Sequence, residues 1–447
     1  MAPALPLNPS SLAEPSPLKG AMNRAAEPYR KLVDTVNAFH AARALHVAVD
    51  LDLFSRLATA PKNAAQVAGL VGCDAHALER LLNALTALGF LHKSGERFQA
   101  AAVSQTYLVR GGPKYIGHFV QFQSRRWREW ENLGEVVRSG RATREPNLYA
   151  DSPADLEALI VGLHEIAVAR GDARWLARAV PLKGCRKLLD VGGGAGTYSA
   201  AFCRENPELE AVLLDLPAAL PVARRILKQS DATQRVSFLA CDYTREPITG
   251  GPYDAALLSN VLHLHDEAGA VDLLRRIHTV LAPDGILIVK DYVMEAEHTQ
   301  PESGALFALT LLLSTRGRTY TLAEMSQWIQ DAGFQDMVVL APEPPMTSSI
   351  LVAVRAGRRT LELVPRPAPH AAAEPTARVA DDAADWRDPA HEETAPRSPA
   401  SAVRRAATRN RSPQKKQPAA TSPRPVRTAK PRQKAARPGR SHPHSRP

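Results

Sequence analysis

The sequence predicts an α/β protein in which a smaller helical domain precedes a mostly parallel sheet. Short apolar runs typical of buried parallel strands lie near 187–191, 211–215, 236–240, 254–259 and 286–290. Segments with helical periodicity separate them, near 196–205, 217–229 and 268–281. This regular alternation of strands and helices favours a sheet of parallel strands joined by crossover helices.

A glycine-rich turn follows the first predicted strand and is the second observation behind this fold class. Glycine lacks a Cβ and permits positive φ, so such a turn brings bare backbone against a small ligand. The spacing is Gly192-x-Gly194-x-Gly196, with Gly193 inside it and Asp190 before it. The dinucleotide fingerprint G-x-G-x-x-G fits this spacing poorly.

Aspartates end three of the predicted strands. Asp190 ends the first, and Asp215 lies 19 residues beyond Gly196, where a carboxylate can accept hydrogen bonds from two ribose hydroxyls. Asp242 follows the third strand and is suitably placed for the edge of an adenine. The alternative is that these residues are caps and turn residues of an ordinary sheet.

The N-terminal part, residues 21–103, has the pattern of a winged-helix domain. Three helices are predicted over 29–57, 63–71 and 74–88, and a small hairpin follows over 90–98. The exposed face of the third helix carries one Arg beside one Glu, which is a poor footprint for DNA phosphates. We therefore expect this domain to pack against a second copy of itself.

An aromatic-rich connector is predicted over 104–180, and it includes a helix over 153–179. Its rings either pack the junction between two domains or wall a pocket for an aromatic substrate. The candidate substrate residues are His118, Phe119, Phe122 and His164.

The predicted sheet domain, 181–355, ends with a helix over 321–332 and two runs, Met337–Leu340 and Ile350–Val354, expected to form a closing hairpin. Segments 1–20 and 356–447 are rich in Pro and Ala and are predicted to be disordered. Fourteen Lys and Arg lie in 401–447 without any Asp or Glu, which leaves a net charge of −4 for the rest of the chain. Weak contact of this tail with nucleic acid or an acidic surface is one expectation, and a dispensable solvated extension is the other.

Cysteine spacing and hydropathy exclude several classes of protein. The four cysteines show no C-x-x-C pair, and no His or carboxylate cluster has the spacing of metal ligands, so we expect free thiols and no metal. The longest apolar run, around 305–313, is shorter than a membrane span. The sequence therefore predicts a cytoplasmic protein without a membrane segment.

Several motifs resemble the two-domain O-methyltransferases of the acetylserotonin and caffeate type. The glycine turn is similar to their first motif, acidic-x-G-x-G-x-G, which binds S-adenosylmethionine. Further matching pieces are Asp215-Leu-Pro217, Asp242, Asn260-Val-Leu-His263 and Leu281-Ala-Pro-Asp-Gly285.

The resemblance implies a Rossmann-like class I methyltransferase sheet, an N-terminal dimerisation domain that forms a homodimer, and a small, usually aromatic, acceptor. It implies that S-adenosylmethionine is bound by Asp190, Gly192, Gly193, Gly194, Gly196, Asp215, Leu216, Asp242, Tyr243 and Asn260.

The resemblance also assigns catalytic residues. His263 follows the fourth strand at its carboxyl end and is the candidate base that removes the hydroxyl proton. Asp291 stands where the family has a Glu that orients this base.

The sequence departs from the family near these residues. Leu264 replaces the Asp that usually follows the histidine, His265 competes for the role of base, and Gly317 stands where a second Glu is expected. Methylation at carbon or nitrogen, and a noncatalytic cofactor-responsive or DNA-associated protein, therefore remain alternatives.

Overall fold

The computed structural model describes residues 17–142, 152–340 and 347–356, with side chains from residue 27 onward. The predictions for residues 1–16 and for the tail 357–447 lie outside this part. Helix α1 begins at Pro17, so four residues of the segment 1–20 that the sequence predicts to be disordered belong to a helix.

The N-terminal domain has the winged-helix arrangement that the sequence predicts. Its helices and strands are α1 (Pro17–Asp50), α2 (Leu53–Arg56), β1 (Lys62–Asn63), α3 (Ala64–Val71), α4 (Ala75–Ala87), β2 (Leu91–Ser94) and β3 (Arg97–Ala100). The three strands form an antiparallel sheet in the order β1-β3-β2.

Local backbone chemistry sets the ends of these helices. The predicted helix 29–57 is interrupted because Asp52 has a left-handed φ of 52°. The Asp74 carboxylate accepts from Ala77 N at 2.8 Å and caps α4, as its position predicts. Gly89, with φ 81°, follows the end of α4.

The connector is helical throughout its described part. Its helices are α5 (Ala102–Tyr107), α6 (Gly117–Arg125), α7 (Trp127–Glu131), α8 (Leu133–Ser139), α9 (Pro153–Arg170) and α10 (Asp172–Ala179). The helix predicted over 153–179 is therefore two helices. Gly171 adopts a left-handed φ of 73° between them, so Asp172 is the first residue of α10.

The central sheet contains seven strands, five of them parallel. The strands are β4 (Lys187–Val191), β5 (Glu210–Asp215), β6 (Val236–Ala240), β7 (Tyr253–Ser259), β8 (Leu281–Asp291), β11 (Phe334–Leu340) and β12 (Ser349–Arg355). Their order is β11-β12-β8-β7-β4-β5-β6, with β12 antiparallel to both of its neighbours. The predicted closing hairpin is confirmed and is longer than expected.

Helices cover both faces of this sheet. They are α11 (Thr197–Glu205), α12 (Leu220–Leu227), α13 (Glu267–Val280), α14 (Glu302–Ser314) and α15 (Leu322–Asp331). A two-residue parallel pair, β9 (Val293–Met294) with β10 (Tyr320–Thr321), was not expected from the sequence.

Strand β8 separates the two cores of the sheet domain. Ile286 and Ile288 pack in the core that contains α10, α11 and α12, whereas Leu287 and Val289 pack in the core that contains α13 and α15. Successive side chains of a strand point to opposite faces. The last two residues of β8, Lys290 and Asp291, therefore lie on different sides of the sheet.

No helix within the described ranges is long and apolar enough to cross a membrane.

Candidate active site

A cavity of about 990 Å³ lies at the carboxyl ends of β4, β7 and β8. One end of it is lined by Asp190 and the glycine turn, and the other end by aromatic residues of the connector and of α14. Ligands of open α/β sheets bind at this edge, so the cavity is the candidate active site.

The glycine turn is shaped by close packing on one side and by open space on the other. Gly192, Gly194 and Gly196 have φ values of 65°, 54° and 76°. A Cβ on Gly193 would lie 2.8 Å from Leu213 Cγ, and one on Gly196 would lie 2.6 Å from Leu227 Cδ1. A Cβ on Gly194 would meet no atom within 4 Å. The turn therefore presents bare backbone to the cavity at Gly194.

Two of the predicted cofactor aspartates form hydrogen bonds with the glycine turn or with the helix that follows it. Ser199 Oγ donates to Asp190 Oδ2 at 2.6 Å, and burial raises the pKa of Asp190 to about 6. Gly194 N donates to Asp215 Oδ2 at 2.8 Å, and Asp215 is fully buried. The ribose-binding role of Asp215 stays a prediction, since Asp215 is not among the residues that line the cavity.

The other predicted cofactor residues divide into two groups. Tyr243 and Asn260 line the cavity with the glycine turn. Leu216, Asp242 and Gly196 are not part of its lining, and the Asp242 carboxylate accepts from Thr244 Oγ1 at 2.5 Å. An adenine-binding role for Asp242 stays a prediction.

His263 and Asp291 form a buried pair beside the cavity. His263 Nδ1 lies 2.5 Å from Asp291 Oδ1, and His263 N donates to Asp291 Oδ2 at 3.2 Å. Tyr292 N donates to Asp291 Oδ1 at 2.8 Å. These bonds keep the ring fixed with Nδ1 toward the carboxylate, which leaves Nε2 as the nitrogen able to accept a proton. His263 itself lines the cavity and packs edge-on against Phe307, with ring centroids 5.1 Å apart.

His265 is placed differently from His263. It is not part of the cavity lining, and burial lowers its pKa to about 4. Among the described residues its Nε2 has no hydrogen-bond partner, while its backbone carbonyl accepts from Tyr320 Oη at 2.6 Å. Of the two histidines in this loop, the geometry favours His263 as the group that meets a substrate.

Gly317 packs against the loop that carries both histidines. A Cβ at this position would collide with the backbone carbonyl of His263 and would lie 2.6 Å from His265 O. The position where the family resemblance implies a Glu therefore has no room for any side chain. The backbone of Gly317 instead supports the His263 loop.

Three of the four candidate substrate residues line the cavity: Phe119, Phe122 and His164. His164 Nδ1 lies 2.8 Å from Thr197 Oγ1, and burial lowers the pKa of His164 to about 3. His118 is not part of the cavity lining, and its role as a substrate residue stays a prediction. Its ring instead lies against Glu165, with Nδ1 2.5 Å from Oε1.

Sequence reasoning missed a polar group on the other face of β8. Lys290, Asp172, Tyr198 and Ser259 all line the cavity, next to the glycine turn. The available signal was a lysine directly after the apolar run Ile286–Val289. A lysine in a buried strand is rare unless its charge is paired. Tyr292 and Phe307, whose ring centroids lie 4.8 Å apart and which add aromatic surface to the lining, were also missed.

A metal site is not part of this arrangement: within the ranges that the structure describes, no group of three or more His, Cys, Asp or Glu is placed to hold an ion.

The sheet order and the glycine turn together define a class I S-adenosylmethionine-dependent methyltransferase. The antiparallel strand β12, inserted between β8 and β11, distinguishes this sheet from that of a dehydrogenase. The open space at Gly194 leaves its backbone accessible to a cofactor in the cavity.

Family comparisons identify the chain more closely. Residues 149–335 match the O-methyltransferase domain, and residues 33–110 match the O-methyltransferase dimerisation domain. The chain therefore belongs to the O-methyltransferase family, whose members use S-adenosylmethionine, and the resemblance read from the sequence is confirmed.

The individual relatives are methyltransferases whose names give different methyl acceptors. The chain is 30% identical to the 3-hydroxy-5-methyl-1-naphthoate 3-O-methyltransferase of Streptomyces sahachiroi, over 73% of this chain and 95% of that protein. It is 28% identical to the N,N-dimethyltransferase OxyT of Streptomyces rimosus, over 68% and 90% of the two chains. The solved structure of the mitomycin 7-O-methyltransferase MmcR matches with a TM-score of 0.66 and 27% identity, covering 75% of this chain and all of that one.

The dimerisation domain carries an apolar surface consistent with a homodimer. Large apolar side chains at helical spacing are exposed along α1, namely Tyr29, Leu32, Val36 and Phe39. The family match to 33–110 includes Val36 and Phe39 of this stripe. A second copy of the chain is the partner that the family implies.

Proposed function

We propose that this enzyme transfers the methyl group of S-adenosylmethionine to a hydroxyl group of a small aromatic metabolite, with His263 as general base. The observation that carries the proposal is the His263–Asp291 pair, buried on the wall of a cavity that also contains the glycine turn. S-adenosylmethionine supplies an already activated methyl group, so the chain has to position the acceptor and remove one proton.

The histidine is well suited to take this proton. Asp291 holds the proton of neutral His263 on Nδ1, which leaves the lone pair of Nε2 for the acceptor hydroxyl. A phenol has a pKa of about 10 and histidine one of about 6.5, so proton transfer is favourable only as the oxygen attacks the methyl carbon. Asp291, fully buried on β8, then stabilises the imidazolium that forms.

Aromatic side chains support an aromatic acceptor. Phe119 and Phe122 of α6, Trp127 of α7 and Phe307 of α14 line the cavity. Arg126 lies over the ring of Phe122, with Cζ 5.6 Å from its centroid, and its Nε donates to Glu129 Oε2 at 2.9 Å. Flat apolar walls of this kind favour a planar ring by stacking and by burial of its surface.

His263→Ala tests the role of the base. We expect kcat to fall by about 10²–10⁴ because the proton acceptor is lost. Asp291→Asn should reduce kcat by about 10- to 100-fold, since one hydrogen bond to a charged group is weakened. Transfer of labelled methyl from S-adenosylmethionine to hydroxynaphthoates, the acceptor class named for the Streptomyces sahachiroi relative, measures both effects.

The control for this experiment is His92→Ala, which removes an exposed histidine of β2 far along the chain from the site. Affinity for S-adenosylhomocysteine should be the same in all of these variants. A His263→Ala enzyme with a kcat within about threefold of the unaltered enzyme contradicts the proposal.

Nitrogen methylation is the second candidate. The relative OxyT is an N,N-dimethyltransferase, and Gly317 leaves the site with one carboxylate where the family resemblance implies two. A neutral amine attacks without prior loss of a proton, so it needs less help from a base. The product of the labelled reaction, identified as a methyl ether or a methylamine by NMR, distinguishes the two.

A further inference from the structure

A buried charge pair on the α10 side of the sheet has no role in the chemistry derived above. Lys290 is 2% exposed and Asp172 is 3% exposed. Lys290 Nζ lies 3.8 Å from Asp172 Oδ2 and 5.7 Å from the centre of the Tyr198 ring. Lys290 comes directly before Asp291 in β8, so the two residues serve opposite faces of the same strand end.

The described part of the protein leaves the hydrogen bonding of Lys290 and Asp172 incomplete. A distance of 3.8 Å is too long for a good hydrogen bond, and Asp172 Oδ1 has no hydrogen-bond partner in the described parts of the chain. Burial raises the pKa of Asp172 and lowers the pKa of Lys290, so both charges are held at a cost. A buried ion pair stabilises a protein only when further hydrogen bonds complete it.

The position of the pair points to the donor rather than to the acceptor. Lys290 is paired with Ser259 in β7, and the neighbouring Leu258 is paired with Val191, the residue before the glycine turn. Tyr198 is the second residue of α11, the helix that begins after that turn. The pair therefore lies on the glycine-turn side of the sheet, whereas His263 and Asp291 lie on the other side.

The donor has one charged end that the residues discussed so far do not bind. S-adenosylmethionine ends in an α-amino acid, which carries one carboxylate and one ammonium. We propose that Lys290 donates to this carboxylate and that Asp172 Oδ1 accepts from this ammonium. The inference rests on S-adenosylmethionine as the methyl donor.

Charge balance supports this assignment. The Lys290–Asp172 pair and an α-amino-acid group are each neutral overall, with one charge of each sign, so their combination completes both sets of hydrogen bonds without a net buried charge. The carbonyl oxygen of the Asn260 side chain also lacks a hydrogen-bond partner among the described residues and lines the same cavity. It is a second acceptor for the ammonium.

Two nucleosides that differ at the amino-acid end provide the test. S-adenosylhomocysteine carries the α-amino acid, whereas 5′-deoxy-5′-methylthioadenosine keeps the adenosine and the sulfur without it. In calorimetric titrations, Lys290→Met should weaken binding of S-adenosylhomocysteine by about 10- to 100-fold, the effect of one buried charge-assisted hydrogen bond. Binding of the methylthio compound should change by less than about threefold.

Matched variants complete the design. Asp172→Asn keeps the size of the side chain and should also weaken S-adenosylhomocysteine selectively, so it carries the test if Lys290→Met fails to fold. Lys187→Met removes a lysine from the start of β4, where Nζ donates to Gly250 O, and should leave both affinities unchanged. Arg170→Met removes a second cation of the cavity lining, one that acts electrostatically on both Asp172 and Lys290.

Each result of these titrations either supports or overturns the proposed role of Lys290 and Asp172. The inference is overturned if Lys290→Met weakens binding of both ligands equally or of neither. It is also overturned if only Arg170→Met selectively weakens binding of S-adenosylhomocysteine. If the unaltered protein did not bind S-adenosylhomocysteine, S-adenosylmethionine would not be its methyl donor, and the proposed function itself would be contradicted. The selective loss in Lys290→Met and Asp172→Asn supports the inference.

Discussion

Two histidines of this protein make the same hydrogen bond to a carboxylate, one in the sheet domain and one in the helical connector. His263 Nδ1 lies 2.5 Å from Asp291, and His118 Nδ1 lies 2.5 Å from Glu165. In each pair the second carboxylate oxygen accepts from the backbone N–H of the same histidine, at 3.2 Å and 3.0 Å. The local geometry of the two pairs is therefore nearly identical.

Their surroundings differ, and the difference bears on the proposal that His263 acts as a base. His263 follows β7 and Asp291 ends the adjacent β8, so the pair lies at the carboxyl edge of the sheet and on the cavity wall. His118 is the second residue of α6 and Glu165 lies within α9. Glu165 also accepts from Phe119 N at 3.2 Å. The second pair joins two helices, and position relative to the cavity separates the two roles.

Gly317→Ala perturbs the His263–Asp291 pair through its loop and, among substitutions outside that pair, has the largest expected effect. The new Cβ would collide with the carbonyl of His263, so the loop has to move. A displacement of about 1 Å at a reacting group can lower a rate by about 10²-fold. We expect kcat to fall by about that factor, measured with the labelled methyl donor, while affinity for S-adenosylhomocysteine is retained.

A helix glycine provides the control for this substitution. Gly69 of α3 has no atom within 4 Å of a Cβ built on it, so Gly69→Ala should leave kcat unchanged. Unaltered kcat in Gly317→Ala, with a thermal midpoint equal to that of the parent enzyme, would show that the loop tolerates the methyl group and that its position is not critical.

The two pairs also differ in how far the sequence predicts them. The family resemblance implied that Asp291 orients His263, and the two residues do meet, because parallel strands bring their carboxyl ends to one edge of the sheet. His118 and Glu165 are 47 residues apart on two helices, and their contact depends on the way α6 packs on α9, which periodicity does not specify.

The same limit explains the other residues that were missed. The end of β8 was visible in the sequence, but the partner of Lys290 depends on the break between α9 and α10 at Gly171, where a single helix was expected. The contact of Gly317 with the His263 loop joins segments more than 50 residues apart, and only the folded chain brings them together. The individual strands, the closing hairpin and the glycine turn were predictable because each is local in the sequence.

A third histidine sharpens the comparison because its ring meets a hydroxyl instead of a carboxylate. Burial lowers the pKa of His164 from 6.5 to about 3, and its Nδ1 lies 2.8 Å from Thr197 Oγ1. The unfolded chain takes up a proton at this residue below pH 6.5 and the folded chain does not. Stability is therefore lost as the pH falls from 6.5 toward 3, by about 2 kcal/mol between pH 7 and pH 5.

His164→Gln should remove this part of the pH dependence while keeping a polar group beside Thr197. Urea unfolding at pH 7 and pH 5 measures it: the variant should lose about 2 kcal/mol less than the parent over this interval. His265, whose pKa is lowered to about 4, remains as a common background in both proteins. An equal loss in the two proteins would mean that His164 is charged when folded.

His118→Ala has the smallest expected effect on kcat and tests the comparison at the His118–Glu165 pair. The substitution removes a hydrogen bond between α6 and α9, so we expect the free energy of unfolding to fall by about 1–3 kcal/mol. Because Phe119, the next residue, lines the cavity, looser packing of α6 should raise KM for the acceptor, whereas kcat should stay within about threefold. A loss of kcat comparable to that of His263→Ala would mean that the second pair takes part in proton transfer despite its distance from the cavity lining.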